Sequence, residues 1–154
     1  MNTQTEVDHC HEIERLIFNY ADYIDSGDFK AVAGLFEHGQ ICGSPGPWCN
    51  RGYDKVLKMN QRSIKLQEET GTPGTKHVVS NLNIEINKQS DAASAKSHFT
   101  VFQSLPDFPL QVIISGFYHD KFLNTETRWR FLERNIISEF FGDLSHHLNV
   151  KLPE

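Results

Sequence analysis

From residue 77 to 141 the chain reads as successive strands joined by short turns, and that run decides the fold class. The segments 77–86, 94–105, 110–123 and 129–141 are rich in Val, Ile, Phe and Thr, which suit a pleated, half-buried surface. Turn-forming stretches at 87–91, 106–109 and 124–127 separate them, so neighbouring strands are hairpin-connected. The first half has a different period. Ile13, Leu16, Ile17, Tyr20, Tyr23 and Ile24 recur at helical spacing and predict an amphipathic helix over 8–25. Ser26-Gly27 ends it, and Asp28 caps a second helix over 29–36. Residues 40–43 suit a short strand, and Gly43-Ser44-Pro45-Gly46-Pro47 suits a turn or loop. A third helix is expected over 52–69, with sparse apolar positions that make it a cover. A Gly/Pro loop follows at 71–75, and the 143–149 tail suits a last short helix. Helices first and hairpin-linked strands after them mean α+β, with the helices on one face of an antiparallel sheet.

A chain of 154 residues suits one domain, 1–154, with a real core. A formal net charge of −5 and scattered Lys and Arg argue against a nucleic-acid partner, which would select a basic face. The longest apolar runs, such as Val112-Ile113-Ile114, are far too short to span a membrane. The polar, acidic start over 1–8 lacks the pattern of a secretion signal. Cys10, Cys42 and Cys49 are odd in number and lack CxxC spacing. They suggest no disulfide framework and a cytoplasmic, reducing setting. His9-Cys10-His11 reads as the start of a helix, because metal ligation needs further partners at suitable spacing. No metal and no cofactor are expected. GxSxG, P-loop, GxGxxG and HExxH patterns are missing from the sequence.

Acid–base chemistry remains, and it needs a histidine oriented by a carboxylate. Asp25 ends the first helix on its apolar stripe, His77 opens a strand directly after a loop, and His98 lies within the next strand. His38, His119, His146 and His147 read as surface residues. Each candidate also has a structural explanation: a helix-end carboxylate, a wet strand-end histidine, a half-buried strand histidine.

The segments 13–28, 75–83 and 129–134 together resemble the SnoaL-like group of the nuclear-transport-factor-like superfamily, over about residues 10–140. That resemblance implies a curved antiparallel sheet wrapped on three N-terminal helices, a cone-shaped barrel with one deep pocket. Within the group, Tyr20-Ala-Asp-Tyr-Ile-Asp-Ser-Gly-Asp-Phe29 is similar to the first-helix motif of the scytalone dehydratases. Asp25 falls on their pocket aspartate, and His77 and His98 fall on their histidines. The hexachlorocyclohexane dehydrochlorinases share the Asp25 and His77 positions. The dehydratases' polar residues on the first and third long strands are not kept, and Gly43, Gly116 and Tyr118 stand there instead. A looser likeness to ketosteroid isomerase puts Tyr20 at an oxyanion position but leaves Gly43 or Ser44 where its base would be.

The resemblance implies a cofactor-independent lyase, a dehydratase-like β-elimination on a small hydrophobic or cyclic substrate. Asp25, His77 and His98 would be catalytic, and Tyr20 and Tyr118 would bind substrate. The same cone also hosts isomerases, cyclases and binding or scaffold subunits like those of the aromatic-ring dioxygenases. A homodimer or homotrimer is expected, because the strands are apolar on both alternating sets. One conflict stands within this reading. Strict alternation places His77 with Val79, Asn81, Asn83 and Glu85, opposite Val78, Leu82, Ile84 and Ile86. His77 reaches a pocket only if a bulge or strong curvature intervenes.

Overall fold

The computed structural model describes residues 3–125 and 128–149. Helix α1 runs Thr3–Ser26, α2 Phe29–Leu35 and α3 Tyr53–Ser63. The strands are β1 Gln40–Ser44, β2 Trp48–Arg51, β3 Thr75–Ile86, β4 Ala92–Leu105, β5 Phe108–Thr125 and β6 Arg128–Phe141. They form one curved, unclosed sheet in the order β2-β1-β6-β5-β4-β3. The three helices lie against its concave side, giving the α+β cone.

Helix α1 buries Ile13, Ile17, Tyr20 and Ile24, a stripe at spacings of four, three and four that faces the sheet. It ends as expected: Gly27 takes a left-handed φ of 74°, and Asp28 N–H closes back on the Tyr23 carbonyl at 2.9 Å. Asp28 then caps α2 by accepting from Ala31 N–H at 3.0 Å. The strands contribute Phe99, Val101, Tyr118, Phe122, Trp129 and Phe131 to the same core.

Several expectations need correction. The sheet is mixed, because β1 lies parallel to β6 while β3 to β6 are antiparallel. Alternation reveals which face a residue occupies, not which neighbour a short strand takes. Strand β2 is an additional edge element, paired with β1. Helix α3 stops at Ser63 rather than 69, because the chain beyond it pairs with the tail. Lys65 N–H donates to His147 O at 2.8 Å, Asn149 N–H donates to Ser63 O at 2.8 Å, and Ile64 bridges Leu148. The tail is accordingly a turn, not a helix.

Cys42 and Cys49 face each other across the β1–β2 hairpin with Cα atoms 4.1 Å apart and are joined as a disulfide. This overturns the expectation of no disulfide, and with it the cysteine argument for a reducing compartment. No helix among the described residues is long and apolar enough to cross a membrane.

Candidate active site

A cavity of about 410 Å³ opens between the concave face of the sheet, α1, α3, the β1–β2 hairpin and the 144–148 turn. Its wall is largely apolar, with Ile24, Met59, Phe99, Val101, Ile114 and Leu148 among the lining residues. A second hollow of about 490 Å³, between α2, α3 and Leu66, contains none of the predicted site residues.

His77 enters the cavity because of a defect in β3. The pairing of β3 with β4 slips between Ser80 and Asn83, leaving one extra residue on β3. Asn81 absorbs it with φ of 52°, a left-handed conformation that asparagine tolerates better than most side chains. Before the bulge, Thr75, His77 and Val79 face inward; after it, Leu82, Ile84 and Ile86 do. Both sets therefore reach the concave side, and the conflict in the alternation disappears.

Asp25 meets His77 there. His77 Nδ1 lies 2.6 Å from Asp25 Oδ1, and the two side chains are 8% and 20% exposed. The carboxylate can only accept, so Nδ1–H donates, and in the neutral ring Nε2 keeps its lone pair. Two further bonds fix the aspartate: His77 backbone N–H donates to Oδ2 at 2.7 Å, and Thr75 Oγ1–H donates to Oδ1 at 2.8 Å. Burial alone would raise the Asp25 pKa. The hydrogen bonds and charge of His77, with the Thr75 hydroxyl, outweigh it and hold the carboxyl below the usual aspartate value. Asp25 is therefore a carboxylate at neutral pH.

Tyr20 and Tyr118 line the cavity, their rings edge to face at 6.0 Å. Burial pushes both phenols above the usual tyrosine range, Tyr118 well above, so both remain O–H donors. Beneath them lies a group the sequence reading missed. Arg134 is fully buried and donates twice to Asp120, from Nε at 2.9 Å and from Nη2 at 2.6 Å. Its guanidinium sits 3.9 Å from the Tyr118 ring centre and 4.4 Å from that of Tyr20. Burial disfavours the guanidinium charge, but the Asp120 carboxylate and the tyrosines prevail and raise the Arg134 pKa. The tyrosines thus rest on a rigid, ion-paired floor.

His98 is not part of this site. It points to the outer face of β4 and packs edge to face on Phe117 at 4.7 Å; Ser97 and Phe99 turn inward instead. The histidine that does join His77 in the cavity is His147, which the sequence reading placed on the surface. It is 7% exposed and lines the cavity from the 144–148 turn. Burial and the neighbouring His77 lower its pKa to about 4. Gly43, where the dehydratases keep a polar residue, is covered by the indole of Trp48, and a Cβ there would collide with that ring.

The other histidines are structural or peripheral. His9 accepts from Trp129 Nε1–H at 3.0 Å, while His38, His119 and His146 are exposed. Among the described residues no group of three or more His, Cys, Asp or Glu is placed to hold a metal ion.

The comparisons with known proteins agree on the architecture. An NTF2-like protein from Novosphingobium aromaticivorans superposes with a TM-score of 0.71 at 20% identity, covering 86% of this chain and 82% of its own. A protein from the same organism assigned as a scytalone dehydratase gives 0.71 at 22% identity, covering 92% and 91%. LinA gives 0.73 at 15% identity, covering 100% and 99%. No curated protein matches the chain. The family description of the SnoaL-like domain matches residues 5–135, and the chain belongs to the SnoaL-like family.

Proposed function

We propose that the cavity carries out a cofactor-independent β-elimination on a small hydrophobic, cyclic substrate, with His77 as the base. The observation that carries this reading is the Asp25–His77 pair at 2.6 Å inside a largely apolar cavity. Asp25 fixes the tautomer, so Nε2 is free to take a proton from a carbon next to a carbonyl. The imidazolium that forms is stabilised by the carboxylate. The carbonyl oxygen gains negative charge as the proton leaves. Collapse of that enolate forms the C=C bond and breaks the bond to a β-hydroxyl. The hydroxyl takes the proton back from His77 and departs as water, which restores the neutral base. Proton transfer of this kind contributes about 10²–10⁴-fold; positioning in a dry cavity must supply the rest.

Tyr20 and Tyr118 are assigned to holding the substrate from the cavity floor. Among the described residues no Lys or Arg lines the cavity, which favours a neutral substrate over a carboxylate or phosphate. The similar protein assigned as a scytalone dehydratase suits an elimination in the same kind of cone.

The test is turnover of a panel of cyclic β-hydroxy ketones, followed by the absorbance of the conjugated enone. Elimination by the wild type and its loss in His77→Ala are expected. Binding without turnover across the panel would instead support a scaffold role, and double-bond migration without loss of water would support an isomerase.

A further inference from the structure

His147 is held on both sides by backbone bonds. Its N–H donates to the Leu144 carbonyl at 3.0 Å, and its own carbonyl accepts from Lys65 N–H at 2.8 Å. The backbone that carries the ring is therefore fixed, and the residue lines the cavity wall. Its Nδ1 is shut off from solvent and has no hydrogen-bond partner among the described residues. A buried N–H without an acceptor is rarer than an acceptor without a donor, so the neutral ring carries its proton on Nε2. Among the described residues no carboxylate is bonded to this ring, whereas His77 is bonded to Asp25. The groups that act on it electrostatically are His77, which lowers its pKa, and Asp25, which raises it; burial decides the balance, and the ring remains neutral at physiological pH.

We propose that His147 is the electrophilic partner of His77, donating a hydrogen bond from neutral Nε2–H to the oxygen of a neutral, carbonyl-bearing ligand. The proposal deepens the elimination reading and rests on it for the identity of that oxygen. A neutral imidazole suits this task because its donor strength does not depend on carrying a charge beside the His77 imidazolium. It also narrows the ligand class. The oxygen must lie between the β3 histidine and the 144–148 turn, with the hydrocarbon body directed to the apolar wall that includes Phe99 and Ile114. His147 would thereby take the place that the sequence reading gave to His98.

The probes are 1-tetralone and tetralin, bicyclic molecules of one shape that differ by a carbonyl oxygen, with binding read from the fluorescence of Trp48 in the cavity wall. The wild type is expected to prefer the ketone by about three- to tenfold, the worth of one such bond. His147→Gln keeps a side-chain donor and should keep the preference. His147→Leu should abolish it while binding tetralin as well as the wild type does. A second measurement needs no variant: ¹⁵N spectra of the wild-type imidazoles should show His147 protonated on Nε2 alone from about pH 5 to 8. A preference that survives in His147→Leu, equal or absent binding of the probes by the wild type, or a proton on Nδ1 would overturn the proposal. Neither measurement involves turnover. Elimination with no His147-dependent preference would therefore leave the His77 reading standing, and a preference without elimination would leave His147 standing alone.

Discussion

A carboxylate in the last turn of a helix faces the negative end of the helix dipole, so Asp25 needs compensation from elsewhere. It comes from β3, through Thr75 and both the backbone and the ring of His77. The position of the aspartate at the end of an apolar stripe was legible, but its functional role came only from the resemblance to the dehydratases. Arg134 was not legible, because a second bulge on β6, opposite Lys121 and Phe122, reverses the alternation set by Trp129 and Phe131. Asp120 did carry a signal: it alternates inward with Tyr118 and Phe122. His147 lies far from the other site residues in sequence, and only the pairing of 63–65 with the tail brings it in. Its burial has a measurable consequence. A folded-state pKa near 4 lies below the ordinary histidine value, so the unfolded chain binds the extra proton. Stability is therefore full above about pH 6.5 and declines as pH falls toward 4. Asp25, also lowered, contributes stability above its usual range that is lost only in stronger acid. Between about pH 7.5 and pH 5, His147 accounts for a loss on the order of 2 kcal/mol. Urea unfolding at the two pH values should show this loss in the wild type and a smaller one in His147→Leu; equal losses would contradict it.

At the scale of elements, the long strands were readable almost to the residue, because β-branched and aromatic runs are bounded by clear turn formers. The end of α3 was not, since 61–69 contains good helix formers and no stop signal; tertiary pairing sets the boundary. The hairpin of β1 and β2 escaped because β2 is short and mostly exposed, and the cysteine pairing follows only once that register is known. The bulge at Asn81 is the element-level device on which the site depends. Its left-handed φ excludes β-branched residues, so Asn81→Val should lose about 1–2 kcal/mol and turn His77 away from Asp25. Asn81→Gly should be near neutral. Chemical denaturation gives the first quantity, and the His77 ring ¹⁵N shifts report the second; a stable Asn81→Val with the pair intact would contradict this role.

For the whole molecule, the concave face of the sheet is filled by helices and cavity, while the convex side and its margins leave Val78, Leu110, Val112 and Phe140 exposed, Leu110 and Phe140 at 70% each. Such surface is expected to be covered by a second copy. Light scattering should give a dimer or trimer mass, and a 17.7 kDa monomer across a wide concentration range would contradict that. Asp25 and His77 are expected to act as one unit, and a double-mutant cycle on the rate of enone formation measures whether they do. His77→Ala and Asp25→Asn should each lose about 10²–10⁴-fold, and the double variant should be little slower than the worse single one. Losses that simply multiply, or a His77→Ala protein that keeps the wild-type rate, would overturn the paired role of Asp25 and His77.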